Sequence, residues 1–379
     1  MKTVVEPAAA AASRVRFRDP RIEMAHGAGG KASRRLIEGL IVPLLSSPSG
    51  PSSAESPLRP AGQDRDGQGG LGSLLAQPLA DAAILDVDGA RLALTADSFV
   101  VRPLRFPGGS IGELAVNGTV NDLAVSGARP LALTLSLVLE EGLAAADLRA
   151  EIDAIARAAE LAGVQIVAGD TKVVERGHAD GMYICTSGIG QRDPRARLSP
   201  AALRPGDRIL LSGTIGEHGT AIMLARGEFE LDAPIVSDTR SLWPAVDALL
   251  AAVGPSVRCL RDATRGGVAS VLNELARASS VAMIVNERDI PVAPAVAGAA
   301  EILGIDPMYV ANEGKLVAFV APEAADAALA ALRSLPGAEQ AAEIGEVRTE
   351  PPGMVLVHTA FGGRRVMDQL VGDPLPRIC

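Results

Sequence analysis

The alternation of short strand-like runs with longer helical runs constrains the fold more than any other feature of this sequence. In the first half, strands are predicted at 82–88, 91–95, 131–139, 164–168 and 182–189, and helices at 111–127 and 143–162. In the second half, strands are predicted at 208–212, 257–260, 282–286 and 316–320, and helices at 217–225, 242–253, 267–278 and 323–335. This alternation is typical of layered folds, so it predicts an α/β (α+β) architecture and argues against an all-β fold.

A segment rich in proline and charge, 191–206, interrupts the alternation and is the predicted domain boundary. The chain has 379 residues, more than one average domain, so we expect two domains, at 21–193 and 194–368. Three segments lack the apolar content or periodicity of a packed core. They predict a disordered extension at 1–20, a flexible insertion at 46–72 and a mobile tail at 369–379. An amphipathic helix that stops near Pro43 is predicted before the insertion.

Composition excludes several classes of function. The chain has 36 basic and 45 acidic side chains, a net charge of −9, and only one Trp, two Tyr and six Phe, so no nucleic-acid partner is expected. No run reaches the roughly 18–20 apolar residues that span a bilayer, so no membrane partner is expected either. The three cysteines are widely spaced and no signal-peptide pattern is present, which predicts a cytoplasmic protein.

An aspartate recurs where predicted strands end. Asp97, Asp170 and Asp262 each stand at or just past the end of an apolar run, and Lys172 follows the second of them. Helix capping or turn formation explains any one of these aspartates. Their recurrence beside small residues shifts the balance toward a site that binds phosphate.

Asp122 lies inside a predicted helix instead. Asn117 and Asn121 are four residues apart and share one face of that helix, with Asp122 at its edge. Mg²⁺ prefers a few carboxylates together with phosphate oxygens and water. Asp122 is therefore a candidate, with Asp97 and Asp170, for holding a metal–nucleotide complex.

A glycine-rich loop, HGAGGK at 26–31, precedes the first helical pattern. Backbone amides exposed by Gly29 and Gly30 ahead of a helix could hold phosphate. The loop is not a Walker A motif, because Ala25 replaces its first glycine and Ala32 follows Lys31 where Ser or Thr is required. From the residues alone, a flexible leader explains the loop equally well.

The third cysteine, Cys379, is the last residue of the sequence. Cys185 and Cys259 stand in apolar contexts that are typical of buried packing residues. Cys379 is either an incidental thiol at a frayed end or a covalent carrier on a flexible arm. Ten extended residues span at most about 33–36 Å, far enough for the thiol to visit an active site on its own subunit.

Seven motifs match one known family in order. They are 26–31 (HGAGGK), 97–100 (DSFV), 117–124 (NGTVNDLA), 169–174 (GDTKVV), 262–267 (DATRGG), 312–314 (NEG) and the ending 376–379 (PRIC). On these residues the chain resembles the HypE family of hydrogenase maturation proteins, which are carbamoyl dehydratases. That family belongs to the superfamily of aminoimidazole ribonucleotide synthetase, selenophosphate synthetase and thiamine monophosphate kinase. The middle motifs mark the superfamily, and the ending singles out the family.

The resemblance implies a two-domain fold in which the N-terminal domain binds ATP and pairs with a second copy through a shared barrel-like sheet. It also implies the activity. A HypF-like carbamoyltransferase places a carbamoyl group on the terminal thiol, ATP phosphorylates the oxygen of this thiocarboxamide, and loss of phosphate leaves a thiocyanate. The cyano group is then passed to iron on a HypC–HypD complex for nickel–iron hydrogenase. The implied cofactors are ATP and Mg²⁺.

The resemblance also assigns roles by motif. Cys379 is the carrier nucleophile, and Lys172 and Glu313 are candidates for removing protons. Glu313 is the stronger candidate, because a lysine acts as a base only in a buried site or beside other cations. The implied metal ligands are Asp97, Asp122, Asp170 and Asp262. The implied ATP and phosphate contacts are Gly29, Gly30, Lys31, Asn117, Asp170, Thr171 and Lys172.

Three alternatives stay open on the sequence. Selenophosphate synthetase uses a cysteine or selenocysteine in its N-terminal glycine loop, whereas no cysteine precedes Cys185 here. Other ATP-dependent kinases of the superfamily share the aspartate motifs but have no use for a terminal thiol. A non-catalytic carrier or scaffold would present Cys379 without needing a metal–nucleotide site, so the Asp97, Asp122 and Asp170 set argues against it.

Overall fold

The computed structural model describes residues 15–27, 29–45, 59–60, 80–227, 233–372 and 378–379. Its strands are β1 Arg59–Pro60, β2 Ala83–Val87, β3 Ala90–Phe99, β4 Arg105–Phe106, β5 Gly109–Ser110, β6 Ala128–Glu140, β7 Gln165–Val174, β8 Met182–Arg192, β9 Arg208–Leu211, β10 Val257–Asp262, β11 Ala282–Asn286, β12 Leu316–Val320, β13 Ala342–Arg348, β14 Val355–His358 and β15 Arg364–Met367. Its α-helices are α1 Lys31–Leu36, α2 Val42–Leu45, α3 Ile111–Val125, α4 Ala145–Ala162, α5 Glu217–Ala225, α6 Trp243–Val253, α7 Gly267–Ala278, α8 Pro294–Leu303 and α9 Ala325–Arg333. Most of the predicted extension and insertion lies outside the described residues.

The first sheet has the strand order β1-β2-β3-β8-β6-β7. Neighbouring strands are antiparallel except β6 and β7, which are parallel and are connected by helix α4. Helix α3 packs on one face of the sheet and α4 packs on α3. On the opposite face Leu94 pairs with Ile189, and these side chains are 46% and 37% exposed. Among the described residues, one face of this sheet is therefore left uncovered.

The second sheet has the order β10-β12-β9-β13-β11-β14-β15 and lies between helices on both faces. Helix α7 packs on one face, where Phe319 and Leu272 belong to the same apolar cluster. Helices α6 and α9 cover the other face, where Leu210 and Ala318 join a second cluster. Ala124, near the end of α3, is part of that second cluster, so the first domain packs directly against the second.

Helix α3 is buried on nearly all sides, although its sequence contains several polar residues. It lies between the first sheet, α4 and the second domain, so Asn117, Thr119 and Asn121 are all buried with it. A buried amide or hydroxyl is costly unless it is hydrogen-bonded. Asn121 meets this requirement across the domain junction, because its Nδ2 donates to the carbonyls of Arg240 and Glu313 and its Oδ1 accepts from the Leu242 amide.

The structure confirms most of the predicted elements and the turn at Asp88 and Gly89, whose φ angles of 50° and 84° are those of a tight hairpin. The strands that carry Asp97 and Asp170 are longer than predicted. β3 continues through Asp97 to Phe99 and β7 continues through Asp170 to Val174, so these aspartates lie within strands rather than past their ends. Only Asp262 closes its strand as expected. The first helical segment ends at Leu45, two residues past Pro43, near which it was predicted to stop.

Four elements of the second domain were not predicted from the sequence: α8, β13, β14 and β15. The register of β13 shifts between Glu343 and Gly345, which breaks the alternation that would reveal the strand. β14 and β15 are four residues each, too short for a periodic signal.

The end of the chain differs from the mobile tail expected from sequence. Ile378 is 2% exposed and pairs with Val101, and the Val100 amide donates to a main-chain carboxylate oxygen of Cys379 over 3.1 Å. Residues 373–377 lie outside the described part of the chain. Among the helices that the structure describes, none has the length and apolar character needed to cross a membrane.

Candidate active site

Four carboxylates meet where the two domains join. Asp97 comes from β3, Asp122 from α3, Asp262 from the end of β10, and Asp81 from the segment before β2. One carboxylate oxygen from each of Asp81, Asp122 and Asp262 lies within 4.8 Å of the others. Asp97 extends this group, because its charge is a cause of the raised pKa of Asp122. We call these four residues the acidic cluster.

Burial and mutual repulsion make the acidic cluster poor at carrying several negative charges. Burial, followed by the charges of Asp97, Asp262 and Asp81, raises the pKa of Asp122 well above its usual range. Burial, followed by the charge of Asp81, raises the pKa of Asp262 to about 8. Burial also raises the pKa of Asp97. A bound divalent cation would relieve this repulsion, and the all-oxygen donor set fits Mg²⁺.

Hydroxyl groups fix the orientation of the cluster. Thr95 Oγ1 lies 2.7 Å from Asp122 Oδ2 and 2.8 Å from the Asp81 carbonyl oxygen. The Thr119 hydroxyl lies 3.2 Å from Asp97 Oδ2. Because alternate residues of β3 face α3, Thr95 and Asp97 both point toward the helix that carries Asp122.

Two arginines border the acidic cluster. Arg261 forms ion pairs with Asp81 and, over 3.4 Å, with Glu274. Arg265 donates from Nη1 to the Gly27 carbonyl over 2.9 Å, and its charge opposes the rise in the pKa of Asp97 and of Glu313. The guanidinium groups of Arg261 and Arg265 thus place positive charge next to the acidic cluster, which suits the binding of a polyphosphate.

Glu313 lies in the same junction and is 2% exposed. Burial, followed by the charges of Asp238 and Asp262, raises the pKa of its carboxyl group well above the usual value. Its backbone is held rigidly, because the Asp238 carboxylate accepts from the amides of Glu313 and Gly314, each over 3.1 Å. A buried carboxylate of raised proton affinity in a fixed position is suited to act as a base.

The structure does not bring the strand residues Asp170, Thr171 and Lys172 to this cluster within one chain. They lie on the edge strand β7, where every residue from Gln165 to Val173 is exposed. Lys172 Nζ contacts Asp170 Oδ2 over 2.8 Å, and this bond lowers the pKa of Asp170. The exposed Lys172 lacks the burial that its role as a base requires.

The glycine loop faces the tail rather than an open phosphate site. The amides of Lys31 and Ala32 donate to the carbonyls of Leu370 and Val371, and Lys31 Nζ contacts Asp368 over 2.5 Å. At Gly30 an added Cβ would lie 2.5 Å from the Leu370 carbonyl oxygen, so the close approach requires glycine. The predicted phosphate contacts of Gly29, Gly30 and Lys31 therefore need a different arrangement of this segment.

Asn117 also has a structural partner, because its Nδ2 donates to Thr239 Oγ1 over 3.1 Å. Sequence reasoning did not find Asp81, Asp238, His218 and Arg265, which the structure places at or beside the junction. Asp81 immediately precedes a predicted strand, so a search for aspartates at both ends of strands could have found it. Asp238 lies in a segment without regular structure and gives no such signal.

Comparison with known proteins agrees with this architecture. Residues 79–191 match the AIR synthase related protein N-terminal domain, and residues 204–357 match the AIR synthase related protein C-terminal domain. A carbamoyl dehydratase HypE from Rhodobacter capsulatus is 46% identical over 363 residues, which are 96% of this chain and 99% of that protein.

Two solved structures extend the comparison. A HypE in complex with ATP has 41% identity and a TM-score of 0.74, and the match covers 94% of this chain and 99% of that one. A HypE–HypF complex has 44% identity and a TM-score of 0.74, covering 78% of this chain and 95% of that one.

The fold and the acidic junction thus define a two-domain protein of the AIR synthase related class. Identity above 40% across nearly the whole length then resolves the class further. The chain belongs to the HypE family of carbamoyl dehydratases.

Asp122→Asn is expected to abolish any rise in melting temperature that Mg²⁺ produces, because it removes a carboxylate oxygen from the acidic cluster. Millimolar Mg²⁺ should raise the melting temperature of the unaltered chain by a few degrees. Without metal, Asp122→Asn should melt no lower than the unaltered chain, since one buried repulsive charge is gone. Asp153→Asn removes an exposed carboxylate from α4 and serves as the control. If Asp122→Asn keeps the Mg²⁺-dependent rise in melting temperature and the ATP affinity of the unaltered chain, the role of Asp122 is purely structural.

Proposed function

We propose that this protein dehydrates a carbamoyl group carried on Cys379, using ATP, and so supplies the cyanide ligand for nickel–iron hydrogenase assembly. The observation that carries the proposal is the position of the chain end. A main-chain carboxylate oxygen of Cys379 accepts from the amide of Val100, which lies three residues after Asp97 of the acidic cluster along the chain. The carrier residue therefore contacts the chain just after the end of β3, the strand that carries Asp97.

The relatives support both the nucleotide and a partner. One HypE was solved in complex with ATP, and another was solved in complex with HypF. For this chain we propose a HypF-like carbamoyltransferase as the donor of the carbamoyl group and a HypC–HypD complex as the acceptor of the cyano group. Both exchanges take place in the cytoplasm.

The chemistry requires a good leaving group and a base. The thiocarboxamide R–S–C(=O)NH₂ attacks the γ-phosphorus of ATP through its oxygen, which releases ADP. The C–O bond then breaks, phosphate departs with the oxygen, and loss of both N–H protons gives R–S–C≡N. The products are the thiocyanate, ADP, phosphate and protons, so the oxygen of the lost water leaves in the phosphate and its two hydrogens leave as protons.

The acidic cluster would hold Mg²⁺, through Asp97, Asp122 and Asp262, with Asp81 as an additional ligand. When bound, the cation neutralises charge on the phosphate groups. Arg265 stands at the same junction and its charge complements phosphate. The glycine loop, through Gly29, Gly30 and Lys31, would cover the phosphates once it separates from the tail. Asn117 donates to the Thr239 hydroxyl in this structure, so we assign it a role in positioning Thr239 rather than in contacting phosphate.

Glu313 is the proposed base. Its carboxyl group is buried beside the acidic cluster and its pKa is raised, so its carboxylate has a higher proton affinity than that of an exposed glutamate. Lys172 and Asp170 lie on the uncovered face of the first sheet, away from the acidic cluster of their own chain. We propose that they, with Thr171, act from a second copy in a homodimer.

The uncovered sheet face supports that homodimer. Leu94 and Ile189 expose apolar side chains at its centre, and Val167 and Val173 expose theirs on the edge strand β7. An exposed apolar sheet face with an unpaired edge strand is a surface that proteins normally cover. A second copy of the same face would cover it symmetrically.

Cys379→Ala is expected to bind ATP normally and to form no cyano group, because the thiol is the attachment point. After incubation with the carbamoyltransferase, carbamoyl phosphate and ATP, the unaltered chain should gain about 43 Da and then lose about 18 Da, by the mass of the groups in this covalent scheme. Intact-mass spectrometry with mapping to the C-terminal peptide measures both steps. Cys185→Ser is the control and should keep both. No adduct on Cys379 in the unaltered chain would overturn the proposed function.

Glu313→Gln should slow the dehydration step about 10²–10⁴-fold, which is the usual contribution of a general base, and leave carbamoyl loading unchanged. Lys172→Gln should have a smaller effect that appears in ATP affinity. Single-turnover mass spectrometry separates loading from dehydration in both variants. If Lys172→Gln loses dehydration and Glu313→Gln retains it, the assignment of the base is reversed.

Leu94→Asp should convert the homodimer into a monomer, because it buries a charge in the paired sheet faces. Light scattering coupled to size exclusion should show the measured mass fall by half. Leu161→Asp is the control, since Leu161 is 87% exposed on helix α4, away from the uncovered sheet face. A monomeric unaltered chain would contradict the proposed pairing.

A further inference from the structure

His218 is a buried histidine that the reaction described above does not use. It is the second residue of helix α5 and is 0% exposed. Its ring meets Phe106 edge-on, with the ring centroids 5.5 Å apart. A histidine buried among apolar groups needs partners for both ring nitrogens, and here those partners are Ser237 and the tail.

The hydrogen bonds define the tautomer of His218. Nε2 lies 2.6 Å from the carbonyl oxygen of Ile378, which can only accept, so Nε2 carries the proton. Nδ1 lies 2.8 Å from Ser237 Oγ and accepts from that hydroxyl. Burial lowers the pKa of the imidazole, against the charge of Asp238, which favours this neutral form. The single N–H of the ring is thus aimed at the peptide carbonyl next to Cys379.

The tail is otherwise held by contacts with the exit of β3. Ile378 packs with Phe99, Val101 and Phe106, and the Val100 amide donates to a main-chain carboxylate oxygen of Cys379. The carbonyl of Ile378 points away from these contacts to His218. A buried carbonyl that lost its donor would incur a desolvation penalty, so this hydrogen bond favours the docked tail.

One short segment links the tail contact to the candidate base. Ser237 binds His218, Asp238 holds the amides of Glu313 and Gly314, and Thr239 binds Asn117 of helix α3. The Thr239 amide also donates to Ser237 Oγ over 3.2 Å, which fixes that hydroxyl. Residues 237–239 therefore hold the tail anchor and the Glu313 loop in one rigid arrangement.

We propose that His218 is the positioning residue for the carrier tail: its Nε2–H binds the Ile378 carbonyl and sets where S-carbamoyl Cys379 lies during dehydration. The inference rests on the proposed function. Because this bond exists only in the docked tail, His218 acts on dehydration and not on carbamoyl loading, for which the thiol must reach a second protein. Recognition of a backbone carbonyl fixes the path of the chain, and the Ile378 side chain adds apolar selectivity.

The test compares His218→Leu, which removes the donor, with His218→Gln, which can place an N–H near the position of Nε2. Thr220→Val is the matched control, since Thr220 is buried on the same helix and its hydroxyl has no hydrogen-bond partner among the described residues. Ser237→Ala is a milder second variant that frees the tautomer while keeping the ring. It keeps the proposal testable if His218→Leu fails to fold.

The first readout is the rate at which N-ethylmaleimide alkylates Cys379, followed on the peptide that begins at Asp373 after cleavage before aspartate. Loss of a hydrogen bond to a buried acceptor should raise this rate about tenfold in His218→Leu, and less in Ser237→Ala. His218→Gln and Thr220→Val should react at the rate of the unaltered chain. Equal rates in all variants would overturn the tail contact.

The second readout follows single turnovers with the carbamoyltransferase. His218→Leu should keep the rate of carbamoyl loading and slow dehydration, and His218→Gln should restore it. If His218→Leu loses both steps and has a lowered melting temperature, and His218→Gln does not restore them, the role of His218 is structural. That result would overturn the proposal. If the unaltered chain gains no carbamoyl group at all, the proposed function fails, while the alkylation rates still decide whether His218 holds the tail.

Discussion

The burial of helix α3 is the constraint on which the rest of the structure depends. The helix lies between the first sheet and the second domain, so each of its polar side chains must find a partner inside the protein. Asn121 finds its partners in the second domain, at the carbonyls of Arg240 and Glu313 and the amide of Leu242. These bonds fix the two domains to each other and place the loop that carries Glu313. Burial of helix α3 requires these hydrogen bonds, and the same bonds position the residues of the site.

The same burial creates the electrostatic character of the site. Asp122 has hydroxyl and carboxylate groups as neighbours. Its pKa rises because burial and the charges of Asp97, Asp262 and Asp81 all disfavour ionisation. Such a cluster opposes folding in the absence of a cation, so its presence favours a binding role over a capping role. Stability is given up locally where the chemistry needs negative charge, and the apolar clusters of the two sheets supply the stability of the whole.

The local sequence pattern was enough to predict most of the architecture. The apolar alternation of a strand and the start of a helix both depend on residues that are close together in the sequence. Helix α7 and strands β11 and β12 have the bounds that the sequence predicts. β13 was missed because a register shift interrupts its alternation. Asp97 and Asp170 were predicted at strand ends, but hydrogen bonding to β8 and β6 extends their strands past the point where the apolar run stops. Strand length is decided by the partner strand, which local sequence does not contain.

The sequence by itself determined the fold class, the HypE family and the chemical type of the site residues that lie in motifs, because these follow from local periodicity and from short motifs. Only the tertiary structure decided which of those residues meet. It joins Asp97, Asp122 and Asp262, adds Asp81, and leaves Asp170 and Lys172 on an exposed strand. It also holds the end of the tail at His218, where a mobile arm was expected. The physical reason is that such meetings depend on sheet register and domain packing between residues far apart in the chain, and no local pattern encodes them.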